Sequence, residues 1–461
     1  MTMNRTPPCC SLRSHGDGGS GSVPVAGDGH GMPAARRGRV VGGMFRLALR
    51  ALMRAYLVAL RLAALLDIHK REPTDGGCTV LLTGTFHAES WARAHIGPLA
   101  ASQHCARVLV ASTYPLGHLD KVEVIYPPRW LIRLAGAVGA RLATFAWLAF
   151  RWRPHVIGGF HLLFNGMAAA LLGRLVGARS LYFCVGGPAE ILGGGVTAEN
   201  RLFAHLPGPD AVLEQRLLQV VDAFDLVVTM GTRAVRCFRG RGVGKAFRVV
   251  PGGFDVEEFQ PTAAPRPVDL VFVGRLAAIK RVDLLLDAVA CVRQTLPDVR
   301  VEIIGEGVLR DPLEQHARRL GLASNVRFVG PQPKVRDWLT RARVFVLTSD
   351  SEGLALALVE AMLCGLPVVC ANVGDLPDLV EDGVNGYLVG LRTPEAFAER
   401  IVALLTDLER AATFGRAARA AAERLEIGCM AREWDAILSS PPLRGRAVAG
   451  PAVTLPEDAR W

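Results

Sequence analysis

From Thr79 onward, short runs of apolar and β-branched residues alternate with stretches whose apolar positions recur every three or four residues. Extended runs are predicted at Thr79–Thr83, Arg107–Ala111, His155–Gly158, Leu181–Val185 and Leu226–Thr229. A second set follows at Val268–Val273, Val299–Ile304, Val326–Val329, Val344–Leu347 and Pro367–Cys370. Strands that alternate with helices pair in parallel, so the fold class is α/β with doubly wound parallel sheets. The Pro- and Gly-rich segment VVPGGFDVEEFQPTAAPRPVDL separates the two sets and reads as an interdomain link. The chain has 461 residues, more than one hydrophobic core usually organises. The expected division is a first Rossmann-like domain over 44–260, a linker over 261–267, a second domain over 268–425, and a terminal helix and tail over 426–461.

The pattern is different before the first strand. Residues 1–43 are rich in Gly, Pro, Ser and Arg, lack an apolar run and are expected to be a disordered tail without a signal peptide's apolar core. The abrupt change at Met44 suggests that the tail is dispensable or that translation starts there. Met44–Ile68 is long enough to span a bilayer, but Arg46, Arg50, Arg54 and Arg61 would each be costly near its centre. At 100° per residue these arginines share one arc, with Phe45, Leu52, Tyr56 and Leu66 toward the other side. This predicts a basic amphipathic helix lying on an anionic membrane with its arginines among the headgroups. A helix packed on its own domain is the alternative. Residues 127–154 repeat the theme with Trp130, Trp147 and Trp152 among arginines.

Composition adjusts this picture in two ways. The net charge of +10 calls for an anionic partner, and the two basic helices direct that expectation to a membrane surface rather than nucleic acid. The ten cysteines contain no CxxC pair or metal-like spacing and read as reduced thiols in a cytoplasmic protein.

Candidate chemistry concentrates in the second half. In VFVGRLAAIKRVDLLLDAV, Gly274 and Arg275 follow a strand directly and Lys280 opens the next helical pattern. Cations placed there suit a departing diphosphate. In TSDSEGLALALVEAMLCGLPVV, Ser349, Asp350 and Ser351 are candidate caps of a helix starting near Gly353, with Glu352 and Glu360 eight residues apart. The helix dipole would face a phosphate, and Glu360 could accept hydrogen bonds from ribose hydroxyls. In the first half, LLTGTFHAESW places Gly84 at a strand end, where backbone can approach a ligand, with a helix beginning near Glu89. The run Gly193-Gly194-Gly195 suggests a mobile acceptor loop.

The pair Glu352-(seven residues)-Glu360 resembles the EX7E motif of the retaining glycosyltransferases of family 4, which have the GT-B fold of two facing Rossmann-like domains. VVPGGFDVEEFQP, the VGRL and Lys pair, and EDGVNGYLV resemble further family segments in the same order. The resemblance implies that Arg275 and Lys280 contact the donor diphosphate and Glu360 the ribose. It also implies that Glu352 with the amides of Gly353 and Leu354 contacts sugar and phosphates, that Gly274 lies at the donor site and that the base lies near Val329. RPHVIGGFHLLFNG resembles a strand end that puts His161 at the family's active-site histidine, binding the transferred sugar or orienting the acceptor. The next strand departs from the family, with Val185 in FCVGGPAEILGGG where many members carry histidine. In this fold the last helix often returns across the cleft.

These resemblances imply retaining, metal-independent hexosyl transfer from a UDP- or GDP-sugar, the nucleotide sugar being a substrate and no cofactor being required. The leaving phosphate would act as base. The basic helices favour a lipid-linked glycan acceptor and a peripheral place on the inner face of the plasma membrane, as in cell-surface polysaccharide or glycolipid assembly. Rival readings are a non-catalytic membrane-associated donor-binding partner and a nucleotide-dependent oxidoreductase; the latter lacks a GxGxxG with its acidic partner after the first strand of either half.

Overall fold

A computed structural model of the protein describes residues 34–73, 76–86, 88–195, 203, 206 and 208–440, with side chains from residue 42. Two parallel sheets form the frame. The first has seven strands, β1 (Cys78–Thr83), β2 (Cys105–Ala111), β3 (Val122–Ile125), β4 (Val156–Phe160), β5 (Arg179–Cys184), β6 (Leu226–Thr229) and β7 (Ala246–Val249), in the order β3-β2-β1-β4-β5-β6-β7. The second has six, β8 (Val268–Val273), β9 (Val301–Ile304), β10 (Val326–Gly330), β11 (Ala342–Leu347), β12 (Val368–Ala371) and β13 (Gly386–Val389), in the order β10-β9-β8-β11-β12-β13. Every pairing is parallel, Leu81 for example lying between Leu109 and Ile157. The central strands are buried on both faces, which explains their continuous apolar runs.

In both sheets the strand order reverses beside the first strand, between β1 and β4 and between β8 and β11. Adjacent crossovers there leave on opposite faces and open a crevice at the strands' carboxyl ends. The segments after β1, β4, β8 and β11 carry Gly84, His161, Arg275 and Glu352. Topology alone thus places the candidate residues at the two switch points.

Helices α1 (Ala34–Ala64), α2 (Glu89–Ala101), α3 (Arg129–Trp152), α4 (Met167–Val176), α5 (Ala211–Val221) and α6 (Thr232–Gly240) belong to the first half. Helices α7 (Val282–Thr295), α8 (Arg310–Arg319), α9 (Arg336–Leu339), α10 (Leu356–Leu363), α11 (Pro394–Thr406) and α12 (Leu408–Ala422) cover the second. The last helix, α13 (Ile427–Ser439), returns to pack on α2, with buried Trp434 5.7 Å from the Phe183 ring. It is pinned by Ser102 Oγ and the Gln103 amide, which donate to Asp435 at 2.6 and 2.9 Å.

Several expectations change. The chain is helical from Ala34, so Ala34–Gly43 is not tail; Ala34, Ala35, Arg36 and Arg37 are good helix formers that extend the amphipathic segment. Residues 1–33 and 441–461 lie outside the described residues. Helix α1 is a second layer on α4 and α5, and its arginines do not share one role. Arg50 donates to both carboxylate oxygens of Asp210 at 2.9–3.2 Å, and Arg46 lies 3.6 Å away, because Asp210 is fully buried as the cap of α5. Among the four arginines of Met44–Ile68, Arg54 and Arg61 face outward. Gly193, Gly194 and Gly195 form a hydrogen-bonded turn rather than a loose loop, since the Gly193 amide donates to Glu214 at 2.7 Å and its carbonyl accepts from Asp210.

Candidate active site

In the second domain, the cleft wall is assembled by the segments after β8 and β11. Lys280 ends a short turn at Ala278–Lys280 rather than starting α7. That turn is tied to the end of β11 by Thr348 Oγ1, which donates toward the carbonyls of Lys280 at 3.2 Å and Arg281 at 2.8 Å. The Asp350 amide adds a bond to the Ile279 carbonyl at 2.7 Å. So anchored, Lys280 Nζ reaches Glu352 Oε1 at 2.6 Å, and Ser349 Oγ donates to the same oxygen at 2.5 Å. Both charged side chains are largely enclosed, which strengthens the pair relative to one in water.

Glu352 is not in a helix. Helix α10 starts at Leu356, after Ala355, and Ser349, Asp350 and Ser351 do not cap it. Ser349 is committed to Glu352, while Asp350 pairs with Arg281 at 3.3 Å and with Arg392. Glu352, Gly353 and Leu354 are therefore a loop that bends at Gly353 and Leu354, held from behind by Gly374, whose φ is +56° and where a β-carbon would collide with the Glu352 carbonyl. Glu360 lies within α10 and is almost wholly buried. Burial, with Glu258 adding repulsion, pushes its carboxyl up to about 7. Val329 stands near the carboxyl end of the edge strand β10, partly buried.

The first domain supplies the facing wall. Gly84 follows β1, but a β-carbon there would meet the Phe86 ring at 2.8 Å and the Phe160 side chain at 3.0 Å, so packing alone accounts for the glycine. His161 follows β4 with φ +63°, and Phe164 repeats this at +62°, in a wide irregular turn. Non-glycine residues in this region carry strain that the surroundings must hold. The holder is Glu190. One carboxylate oxygen accepts from His161 Nδ1 at 3.0 Å and from the Gly186 amide at 2.9 Å. The other accepts from the Leu162 amide at 2.9 Å and from Tyr182 OH at 2.8 Å.

Burial alone would lower the His161 pKa. The Glu190 carboxylate more than reverses this and raises its pKa, while the positive charge of Arg275 opposes the rise. Arg275 of one domain and His161 of the other thus lie within electrostatic reach of each other across the cleft. The walls also touch directly, for a β-carbon on Gly353 would lie 2.5 Å from the Val185 carbonyl.

Arg275, Lys280, Glu352 and Gly353 of the second domain thus gather opposite His161 of the first. Gly84 faces the aromatic core. Glu190 and Tyr182 were missed by sequence reasoning, and Ser349, read as a helix cap, instead holds Glu352. A usable signal existed for Glu190, the only carboxylate in the glycine-rich stretch FCVGGPAEILGGG.

Residues 267–407 match the family model described as glycosyl transferases group 1. A D-inositol 3-phosphate glycosyltransferase of Streptomyces griseus is 31% identical over 372 residues, covering 72% of this chain and 70% of the relative. One from Kribbella flavida is 37% identical over 240 residues, 47% of this chain and 54% of the relative. The chain thus spans only about half the length of several such relatives. Among solved structures, HepE of Anabaena with UDP and glucose superposes with a TM-score of 0.63 at 20% identity, over 78% of this chain and 99% of that one. Sucrose-phosphate synthase of Thermosynechococcus elongatus gives 0.64 at 19%, over 78% and 98%. These two likenesses show the fold.

Proposed function

The chain belongs to the group 1 glycosyl transferases with the GT-B fold, and from that premise we propose that it transfers a hexosyl group from a UDP- or GDP-sugar with retention of configuration. The observation that carries the reading is the convergence of Arg275, Lys280 and Glu352 on one wall of the cleft with His161 on the other. Arg275 and Lys280 are assigned to the diphosphate. Their fixed charge stabilises the negative charge that grows on the leaving group as the glycosidic bond breaks. Glu352, held by Lys280 and Ser349, and the amides of Gly353 and Leu354 are assigned to sugar and phosphates, Glu360 to the ribose, Gly274 to the donor turn and Val329 to the base. Gly84 is assigned only to the floor of the cleft. The leaving phosphate takes the acceptor proton, and no metal is assigned, since two protein cations already face the diphosphate.

The acceptor is assigned to a membrane, as a lipid-linked glycan, and the enzyme to the inner face of the plasma membrane. Supporting this, α1 and α3 flank α4 on one side of the first domain and leave apolar side chains uncovered there, among them Leu47, Leu52, Trp130 and Leu134. By length and composition, α3 alone among the described helices could cross a bilayer, yet its inner face buries Phe145, Leu148 and Arg141 against the domain. A surface role fits that better than a span. The names of the relatives favour a second reading, an inositol phosphate acceptor.

Radiolabelled UDP-glucose, UDP-N-acetylglucosamine and GDP-mannose, each offered with a membrane lipid extract or with inositol 3-phosphate, separate these. Label entering the lipid phase supports the first reading, and label entering inositol phosphate alone the second. Arg275→Ala, Lys280→Ala and Glu352→Ala should each lower transfer at least about tenfold with the melting temperature held. Wild-type turnover in all three overturns the site.

A further inference from the structure

We propose that Glu190 is a positioning residue that holds the His161 imidazole as a cation with its Nε2–H edge turned to the donor diphosphate; this rests on the site reading above. The first support is a count of hydrogen-bonding capacity. Four donors, His161 Nδ1, the amides of Leu162 and Gly186, and the Tyr182 hydroxyl, converge on the two oxygens of Glu190 at 2.8–3.0 Å. An ionised carboxylate accepts at both oxygens, whereas a glutamine would turn an NH2 toward two of those donors. The arrangement is therefore built for a charged side chain. Because a carboxylate only accepts, His161 Nδ1 carries a proton, and the remaining ring nitrogen is left for a ligand.

The second support is location. The Glu190 side chain is one-tenth exposed and that of His161 44% exposed, so the pair has a buried anchor and an open end. Trp91 of α2 lies nearly parallel to the imidazole with ring centres 6.5 Å apart and limits its tilt. The same carboxylate clamps the Gly186 amide, beside the Val185 carbonyl that abuts Gly353 of the opposite wall. One side chain thus sets both the ring and the pinch of the cleft.

The groups that face the ring from surrounding elements are Glu190 with Tyr182 and Cys184 behind it, His95 on α2, and Arg275 across the cleft. His95 is held neutral by burial, with its pKa pushed down to about 3, so it adds no charge. Arg275 disfavours protonation of His161, and Glu190 is the group that overcomes it. By sign, an imidazole with a raised pKa is charged below that value and loses its charge as pH rises through it. Transfer is then expected to fall on the alkaline side.

The test uses the full chain with 15N-labelled histidine, His161 being assigned by comparison with His161→Gln. In the wild type, His161 should titrate above the exposed histidines and show a protonated Nδ1 throughout. In Glu190→Gln its midpoint should drop below theirs, and the alkaline limb of kcat with UDP-glucose as donor should move to lower pH. Turnover should fall about tenfold or more, and the Kd for UDP, whose diphosphate the imidazolium faces, should rise where the variant's ring has lost its charge and recover at lower pH. Glu190→Asp, one methylene shorter but still anionic, should restore most of the His161 titration and serves where the glutamine variant does not fold. An unmoved His161 titration, or an alkaline limb of kcat that stays where it is in the wild type, overturns the inference. Wild-type turnover in His161→Ala instead overturns the site reading beneath it.

Discussion

At the scale of the residue, Glu360 shows how a binding position and a stable position differ. Its carboxyl is pushed up to about 7 by burial within α10, with repulsion from Glu258 adding to the rise. A carboxyl whose folded pKa is raised binds its proton more tightly when folded, so stability is greatest below the unfolded value and declines as pH rises toward 7. The full shift would amount to roughly 3 kcal/mol as an upper bound. Glu360→Gln removes that penalty, and its melting temperature should exceed the wild type's at pH 8 and equal it at pH 4.5 by scanning fluorimetry. If the carboxylate receives the ribose hydroxyls, the same change should weaken UDP binding at pH 8 by about tenfold in calorimetry, since a charged acceptor is the stronger one. A variant that is no more stable at pH 8 would show that the burial is relieved in solution.

At the scale of elements, the central strands were legible because burial on both faces writes them as unbroken apolar runs, and the Val268–Val273 and Leu226–Thr229 expectations coincide with β8 and β6. The edge strands β3, β7 and β13 were not, because VEVI, AFRV and GYLV are four residues long with little pattern. Arg275 and Glu352 could be placed from sequence at the cleft because they follow strands at the switch points, whereas Glu190 meets His161, Tyr182 and two backbone amides through a fold contact that no spacing announces. Helix α1 was half legible: periodicity found its two faces, but Asp210, about 160 residues away, decides that Arg46 and Arg50 turn inward. What remains outward is apolar, with Leu134 on α3 79% exposed and Trp130 65%, accompanied by Arg54 and Arg61 on α1. This surface should float with vesicles of phosphatidylcholine and phosphatidylglycerol and much less with phosphatidylcholine alone. Leu47→Glu with Leu134→Glu should abolish flotation at an unchanged melting temperature. Failure of the wild type to float with either vesicle would sink the membrane assignment.

At the scale of the molecule, the two sheets are joined by more than their linker. The N-terminus of α6 in the first domain is capped by two carboxylates of the second. Asp378 accepts from the Thr232 amide and from Thr232 Oγ1, the latter at 2.7 Å, and Asp375 accepts from the Ala234 amide at 3.1 Å. A cap shared between domains holds the cleft at one separation, so its strength bears on how donor enters and nucleotide leaves. Burial pushes Asp375 up to about 6, with Asp378 adding repulsion and the Ala234 amide and Arg233 opposing it. Its second oxygen is buried without a hydrogen-bond partner among the described residues. The sign again follows from a raised carboxyl: the closed arrangement is favoured when Asp375 is protonated, and that advantage fades as pH rises from about 4 to about 6. The wild type should therefore open as pH is raised from 5 to 7.5, seen as a larger radius of gyration in small-angle scattering. Asp375→Asn keeps the acceptor for Ala234 and removes the charge, so its radius should stay at the compact value at both pH values. A wild-type radius independent of pH, or a variant that opens like the wild type, would place the hinge control elsewhere, with α13 and its bonds to Ser102 and Gln103 as the remaining strap between the domains.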